Sequence, residues 1–244
     1  MKKYNFLNFK DYLNEITLQY HDILNPKIWD KKNLHKDVKR HLLDIAEAWR
    51  DFSNIPKNSI KDIVLTGGNA NYNYTDYSDL DVHLLVDKNK IADCEKTILD
   101  DYLKDKKALW ALNHNITVKG YDVEVYAQDI NEPTPSEQGV YSLKNNKWIK
   151  EPKKKKLNLE DPYLKKKINN LKNMIDFFIN SHCNDVEKMQ KFKEKIRSKR
   201  SSSVQSVGEF GIENLAFKEL RNLGYLEKLS DYIKKVQDKG LSLK

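Results

Sequence analysis

No stretch of this 244-residue chain is apolar for long enough to span a bilayer. The opening Met1-Lys-Lys-Tyr-Asn5 leads into no apolar segment of the kind a secretory signal needs, so a cytoplasmic location is expected. Cysteine is almost missing. Cys94 and Cys183 lie far apart with no metal-ligand spacing, which excludes a disulfide framework and a thiolate zinc site and leaves reduced thiols. Arginine is scarce too: five residues, so the net charge of +8 is almost wholly lysine. That excess fits an AT-rich genome as well as a polyanionic partner, and its distribution is the better guide. Lysines crowd into 147–167, with Lys153-Lys-Lys-Lys156 and Lys165-Lys-Lys167, and basic residues crowd again into 188–200. Such runs serve as solvated faces or attract phosphates. The chain shows no internal repeat.

What is present centres on residues 63–86. A short apolar strand, Ile63 to Leu65, runs into Gly67-Gly68; ten residues later Ser78-Asp79-Leu80-Asp81 opens a second apolar strand, Val82 to Val86. Carboxylates two residues apart on a strand share a face. Like charges that close need an offset, and a divalent cation is the usual one. A Gly-Gly turn brings bare backbone N–H groups near an anion. A phosphate cradle beside a carboxylate pair is the equipment of phosphoryl or nucleotidyl transfer.

At these residues the chain resembles the DNA polymerase β-like nucleotidyltransferase superfamily, whose signature joins a Gly-Gly or Gly-Ser pair to Asp-hydrophobic-Asp about ten residues on, with a third acid on a later strand. Gly67, Gly68, Asp79 and Asp81 fit it. The stretches Leu24-Asn-Pro-Lys-Ile-Trp-Asp30, 65–87, 116–126, Gly139-Val-Tyr-Ser142 with Asn146-Lys-Trp148, and 213–221 resemble a group of stand-alone nucleotidyltransferases of tailed bacteriophages. The third acid falls in Tyr121-Asp-Val-Glu-Val-Tyr126, where Asp122 and Glu124 share a face and either could reach a metal. Glu124 is preferred. It sits mid-strand between valines, where a charge needs a partner, and the phage group carries its acid there.

The fold expected is α+β: a small mixed β-sheet nucleotidyltransferase core flanked by helices, then a C-terminal helical domain. Domains are placed at 1–130 (catalytic, with N-terminal helices), 131–160 (a crossing segment between the breakers Glu132-Pro-Thr-Pro135 and Glu151-Pro152) and 161–244 (helical). Helices are expected at Phe9–Ile23, His35–Phe52 and from about Lys90 to Trp110, and strands at Asn115–Val118 and Asp122–Tyr126, with Gly120 in a tight turn between them. Four more helices fall near Leu164–Ser181, Asp185–Arg197, Ile212–Leu223 and Leu226–Gln237. Ser201 to Gly208 reads as a mobile loop.

The resemblance implies two Mg²⁺ ions, with Mn²⁺ as a substitute, held by Asp79, Asp81 and Glu124 as catalytic and metal-binding residues. Gly67, Gly68 and Ser78 would hold phosphate oxygens of an NTP substrate. His83 continues the acidic face but reads as a packed residue. Asn69, Asn71 and Asn73 read as loop residues, and Tyr72, Tyr74 and Tyr77 as structural, with base stacking as the alternative. In the helix at 212–223, Asn214, Lys218 and Arg221 share a polar stripe. By resemblance a helical domain sends a basic side chain to the triphosphate, and Lys218 then Arg221 are the candidates, with Glu213 available to orient a partner. The leading function is transfer of a nucleoside monophosphate to an RNA 3′ end such as tRNA, with RNA held by the basic C-terminal half and no membrane partner. Nucleotidylation of a protein or small molecule, second-messenger synthesis, and a non-catalytic nucleic-acid binder are the alternatives. Neither the base of the incoming nucleotide nor the oligomeric state is legible.

Overall fold

The computed structural model describes residues 16–132, 138–155 and 157–243. It is α+β, with a central mixed sheet flanked by helices and a helical C-terminal region. The chain divides into two compact units. One is Tyr20–Lys156; the other joins the residues before Tyr20 to Leu157–Lys244.

In the sheet unit a small hairpin, β1 (Trp29–Asp30) and β2 (Asn33–Leu34), precedes α1 (Lys36–Phe52). The main sheet takes β3 (Ile60–Thr66), β4 (Leu80–Val86), β5 (Thr117–Val118), β6 (Tyr121–Asp129), β7 (Val140–Ser142) and β8 (Lys147–Lys150), with α2 (Lys96–Asn113) between β4 and β5. Its strand order is β5-β6-β4-β3-β7-β8, and the β4–β6 pair alone is parallel. Period-two alternation builds β4: Leu80, Val82, Leu84 and Val86 are buried, while Asp81, His83 and Leu85 turn to the other face. Val38, Leu42, Ala46 and Trp49 recur at helical spacing along α1 and join that buried row, as do Leu99, Leu103 and Trp110 of α2. Each such valine or leucine contributes roughly 1.5–3 kcal/mol by leaving water.

Residues 138–155 carry strands that the sequence pattern does not foretell. Their aromatics explain the placement: Trp148 stacks on Trp29 at 4.8 Å, and Tyr141 meets both indoles edge-on at 5.0 and 5.1 Å. The β1–β2 hairpin and the β7–β8 hairpin are thus joined through one aromatic cluster.

The helical unit holds α3 (Pro162–Asn180), α4 (Val186–Val207), α5 (Ile212–Asn222) and α6 (Tyr225–Leu241). Asp161 caps α3 by accepting from the Tyr163 N–H, and Asp185 caps α4 by accepting from that of Lys188. Two apolar clusters hold it, one around Leu18, Leu164, Ile168, Leu215 and Ala216, the other around Ile175, Phe178, Met189, Leu229 and Ile233.

Two expectations need correction. The helix over Phe9–Ile23 is not helical at residues 16–23, and its earlier part lies outside the described residues, as does the breaker beyond Glu132. Ser201 to Val207 is no loop but the last turns of α4, and Ser203 is buried there because Gly211 leaves room for it. No described helix is long and apolar enough to cross a membrane. Both cysteines are free thiols.

Candidate active site

The site grows out of strand register. Thr66, the last residue of β3, pairs with Asp81 of β4, and Asp81 pairs on its other side with Glu124 of β6. Asp79 precedes β4 by one residue. Asp79, Asp81 and Glu124 thereby bring carboxylate oxygens within 4.8 Å of one another, close enough to share a metal ion. Asp122, two residues earlier on β6 and paired with Thr117, is outside that set. Three clustered carboxylates are all-oxygen donors suited to a hard divalent cation.

Gly67 is what lets Asp81 sit there. Its backbone has φ 78° and ψ −163°, a conformation essentially reserved for glycine. A Cβ placed on it would lie 1.6 Å from Asp81 Oδ2. The carboxylate therefore rests against bare Cα. Gly68 begins a short 3₁₀ turn and faces Ser78, whose Oγ would lie 3.0 Å from an added Cβ. Ser78 Oγ accepts from the Thr75 N–H at 2.9 Å, which closes the loop just before Asp79.

Behind this surface Asn69 and Asn71 are buried and committed to the backbone. Asn69 Nδ2 donates to the Asp79 carbonyl (3.0 Å), its Oδ1 accepts from Asn25 Nδ2 (2.7 Å), and its carbonyl accepts from the Trp29 indole (2.7 Å). Asn71 Nδ2 donates to the Gly67 carbonyl (2.6 Å), and its Oδ1 accepts from the Gly139 N–H (2.9 Å). Tyr72 and Tyr74 are buried as well, Tyr74 stacked on His21 at 3.8 Å; Tyr77 is exposed. His83 is packed on Tyr126 and bonded through Nδ1 to Gln128 Oε1 at 2.8 Å. Burial holds its pKa below the ordinary value, against the opposing pull of the Gln128 bond.

Lys107 is a neighbour that sequence reasoning misses. It reaches from α2 to Glu124 Oε2 at 2.9 Å and lies over the Tyr126 ring. Helical periodicity makes it one solvated lysine among several, and only the packing of α2 on β6 selects it.

Lys218 and Arg221 lie on α5 of the helical unit, whereas Gly67, Gly68, Ser78 and the three acids belong to the sheet unit. Lys218 is half-buried against Glu209 at 3.2 Å. Glu213 pairs with Lys167 at 2.5 Å rather than with a residue of its own helix. Asn214 is buried between Arg200 Nε and the Glu209 carbonyl. Glu219 is buried and accepts from the Thr17 N–H and hydroxyl, the latter at 2.7 Å.

No protein-family model matches this chain, and no curated protein matches it in sequence. Among solved structures it is similar to the STING-associated CdnE c-di-GMP synthase from Capnocytophaga granulosa, at 13% identity over 85% of this chain and 84% of that one. The TM-score is 0.23, and a likeness at that level carries no argument about chemistry.

Proposed function

We propose that this protein is a metal-dependent nucleotidyltransferase that moves a nucleoside monophosphate from an NTP to a hydroxyl acceptor. The observation that carries the reading is the Asp79–Asp81–Glu124 cluster seated against the bare Cα of Gly67. These three carboxylates would hold two Mg²⁺ ions, or Mn²⁺ in their place. When bound, such ions lower the pKa of an attacking hydroxyl and offset charge on a departing pyrophosphate. The chain itself does the positioning. Backbone N–H groups at Gly67 and Gly68 and the Ser78 hydroxyl face phosphate oxygens. Asn69 holds the Asp79 backbone so that its carboxylate keeps its place. Lys218, and Arg221 after it, stand as the helical unit's candidates for contact with the triphosphate. The acceptor oxygen bonds to the α-phosphorus, the bond from that phosphorus to the bridging oxygen breaks, pyrophosphate leaves, and the hydroxyl proton passes to water.

A cavity of about 250 Å³ that includes Glu124 in its lining favours a small acceptor over an RNA 3′ end. The test is transfer of label from each of the four NTPs with Mg²⁺, first without acceptor, then with total RNA, protein and metabolite pools kept apart. Asp79→Asn and Asp81→Asn should abolish transfer while leaving the fold intact. Glu124→Gln should cost nearly as much, and Asp122→Asn far less. Wild-type turnover in either Asn variant at saturating Mg²⁺ sinks the assignment; label appearing only on RNA 3′ ends restores the RNA reading.

A further inference from the structure

The sheet order separates two sides of the proposed centre. The glycine turn follows β3, on one side of β4; Glu124 stands on β6, on the other. Entering and leaving oxygens of a phosphoryl transfer lie roughly in line through phosphorus. With the phosphates on the β3 side, the acceptor must come from the β6 side, and there the structure has a cavity.

It lies between the last turns of α2 and the start of β6, and its volume is about 250 Å³. Trp110 and His114, one helical turn apart with ring centroids 4.0 Å from each other, form an aromatic wall. Asp122, Glu124 and Lys107 bring charge to the lining, and Ala111 keeps one side open. Pockets for drug-sized ligands run from about 300 to 1,000 Å³. This one admits a single ring system with its sugar and little more. Flat rings suit the aromatic wall, and carboxylates suit sugar hydroxyls as acceptors of their protons. With Glu124 committed to the ions, the lining carries one further acid, Asp122, against its one lysine, so these side chains offer no net positive charge to a further phosphate.

We infer that this cavity is the acceptor subsite and that it takes an unphosphorylated nucleoside, whose sugar hydroxyl is presented at Glu124. The inference rests on the proposed transfer activity and deepens it. Ala111 is exposed, lies outside the acidic cluster, and its helix accepts a larger side chain without disturbing the core, so Ala111→Trp fills the cavity selectively.

The test measures binding of adenosine, guanosine, cytidine and uridine by saturation-transfer NMR with Mg²⁺, in wild type, Ala111→Trp and Ala111→Leu. Their 5′-monophosphates and an RNA oligonucleotide are run beside them. At least one nucleoside should bind wild type, at least tenfold tighter than Ala111→Trp binds it, with Ala111→Leu between the two and NTP affinity unchanged in both. The inference is overturned if no nucleoside binds wild type, if the monophosphates or the oligonucleotide bind better than the nucleosides, or if Ala111→Trp binds as wild type does. Failure of the transfer reading looks different: Mn²⁺ and NTP binding would then be indifferent to Asp79→Asn, whatever the nucleosides do.

Discussion

The closest approach in the site is between Gly67 and Asp81, and it sets an asymmetry between two adjacent glycines. Gly67→Ala must place a methyl where Asp81 Oδ2 now lies and must hold alanine in a glycine backbone conformation, a strain of order 1–3 kcal/mol. It should lower the melting temperature and weaken Mn²⁺ binding together, read by calorimetry and by EPR titration. Gly68→Ala meets the Ser78 hydroxyl at 3.0 Å, which need give only a few tenths of an ångström and can keep its bond to Thr75, so metal binding should stay near wild type. Equal effects from the two would mean that Asp81 has room to move. A second residue gives a pH signature in the helical unit. Burial first, then the charge and hydrogen bond of Asp176, push the Tyr225 phenol from its ordinary 10.0 up to about 12. A raised pKa means stability that is complete below pH 10 and lost as pH climbs toward 12. Wild type should therefore lose stability relative to Tyr225→Phe across that window in urea titrations, and run parallel to it below. Asp79 and Asp81 were legible as a pair because two-residue spacing on a strand fixes the face they share, whereas strand register is what sets Glu124, and not Asp122, beside them. Asn69 was not legible, since its role depends on Asn25, 44 residues away.

At the scale of elements, legibility followed local pattern: β4 alternates over seven residues, β3 holds a continuous apolar run, Gly120 marks the turn between β5 and β6, and α1 shows its apolar stripe over four turns. By contrast β1, β2, β7 and β8 have two to four residues each; aromatic contacts with distant segments make them strands, and no local pattern announces that. The tail of α4 misled for another reason. Ser201-Ser-Ser carries the composition of a loop, yet Ser203 is small enough to be buried opposite Gly211. A Cβ on Gly211 would lie 2.1 Å from Ser203 Oγ, so Gly211→Ala forces that hydroxyl off its rotamer, at about 0.5–1.5 kcal/mol. Adding Ser203→Ala should restore most of the loss, and a double-mutant cycle by urea unfolding measures it. Strictly additive effects would show that the two residues do not meet.

At the scale of the molecule, the helical unit is discontinuous in sequence. Residues before Tyr20 belong with those after Leu157, and the whole sheet unit is inserted between them. One side chain fastens this arrangement: the Glu219 carboxylate accepts three hydrogen bonds from Thr17, and Asn222 Nδ2 donates to the same hydroxyl at 2.9 Å. Thr17→Val removes the hydroxyl and leaves a buried charge less satisfied, at about 1–3 kcal/mol. The loss should appear in unfolding of the helical unit, and Thr17→Ser should recover it. No change in Thr17→Val would reduce the contact to an accident of packing. Nothing in residues 16–19 taken alone signals a partner 202 residues onward. The insertion also sets an order of events during synthesis. Chains grow from the N-terminus and fold by domains as they emerge. The sheet unit is complete once residue 156 has left the ribosome, before α3 has emerged. Thr17, made before the whole sheet unit, must wait for Glu219, and so belongs to a fold that closes only after that unit has emerged.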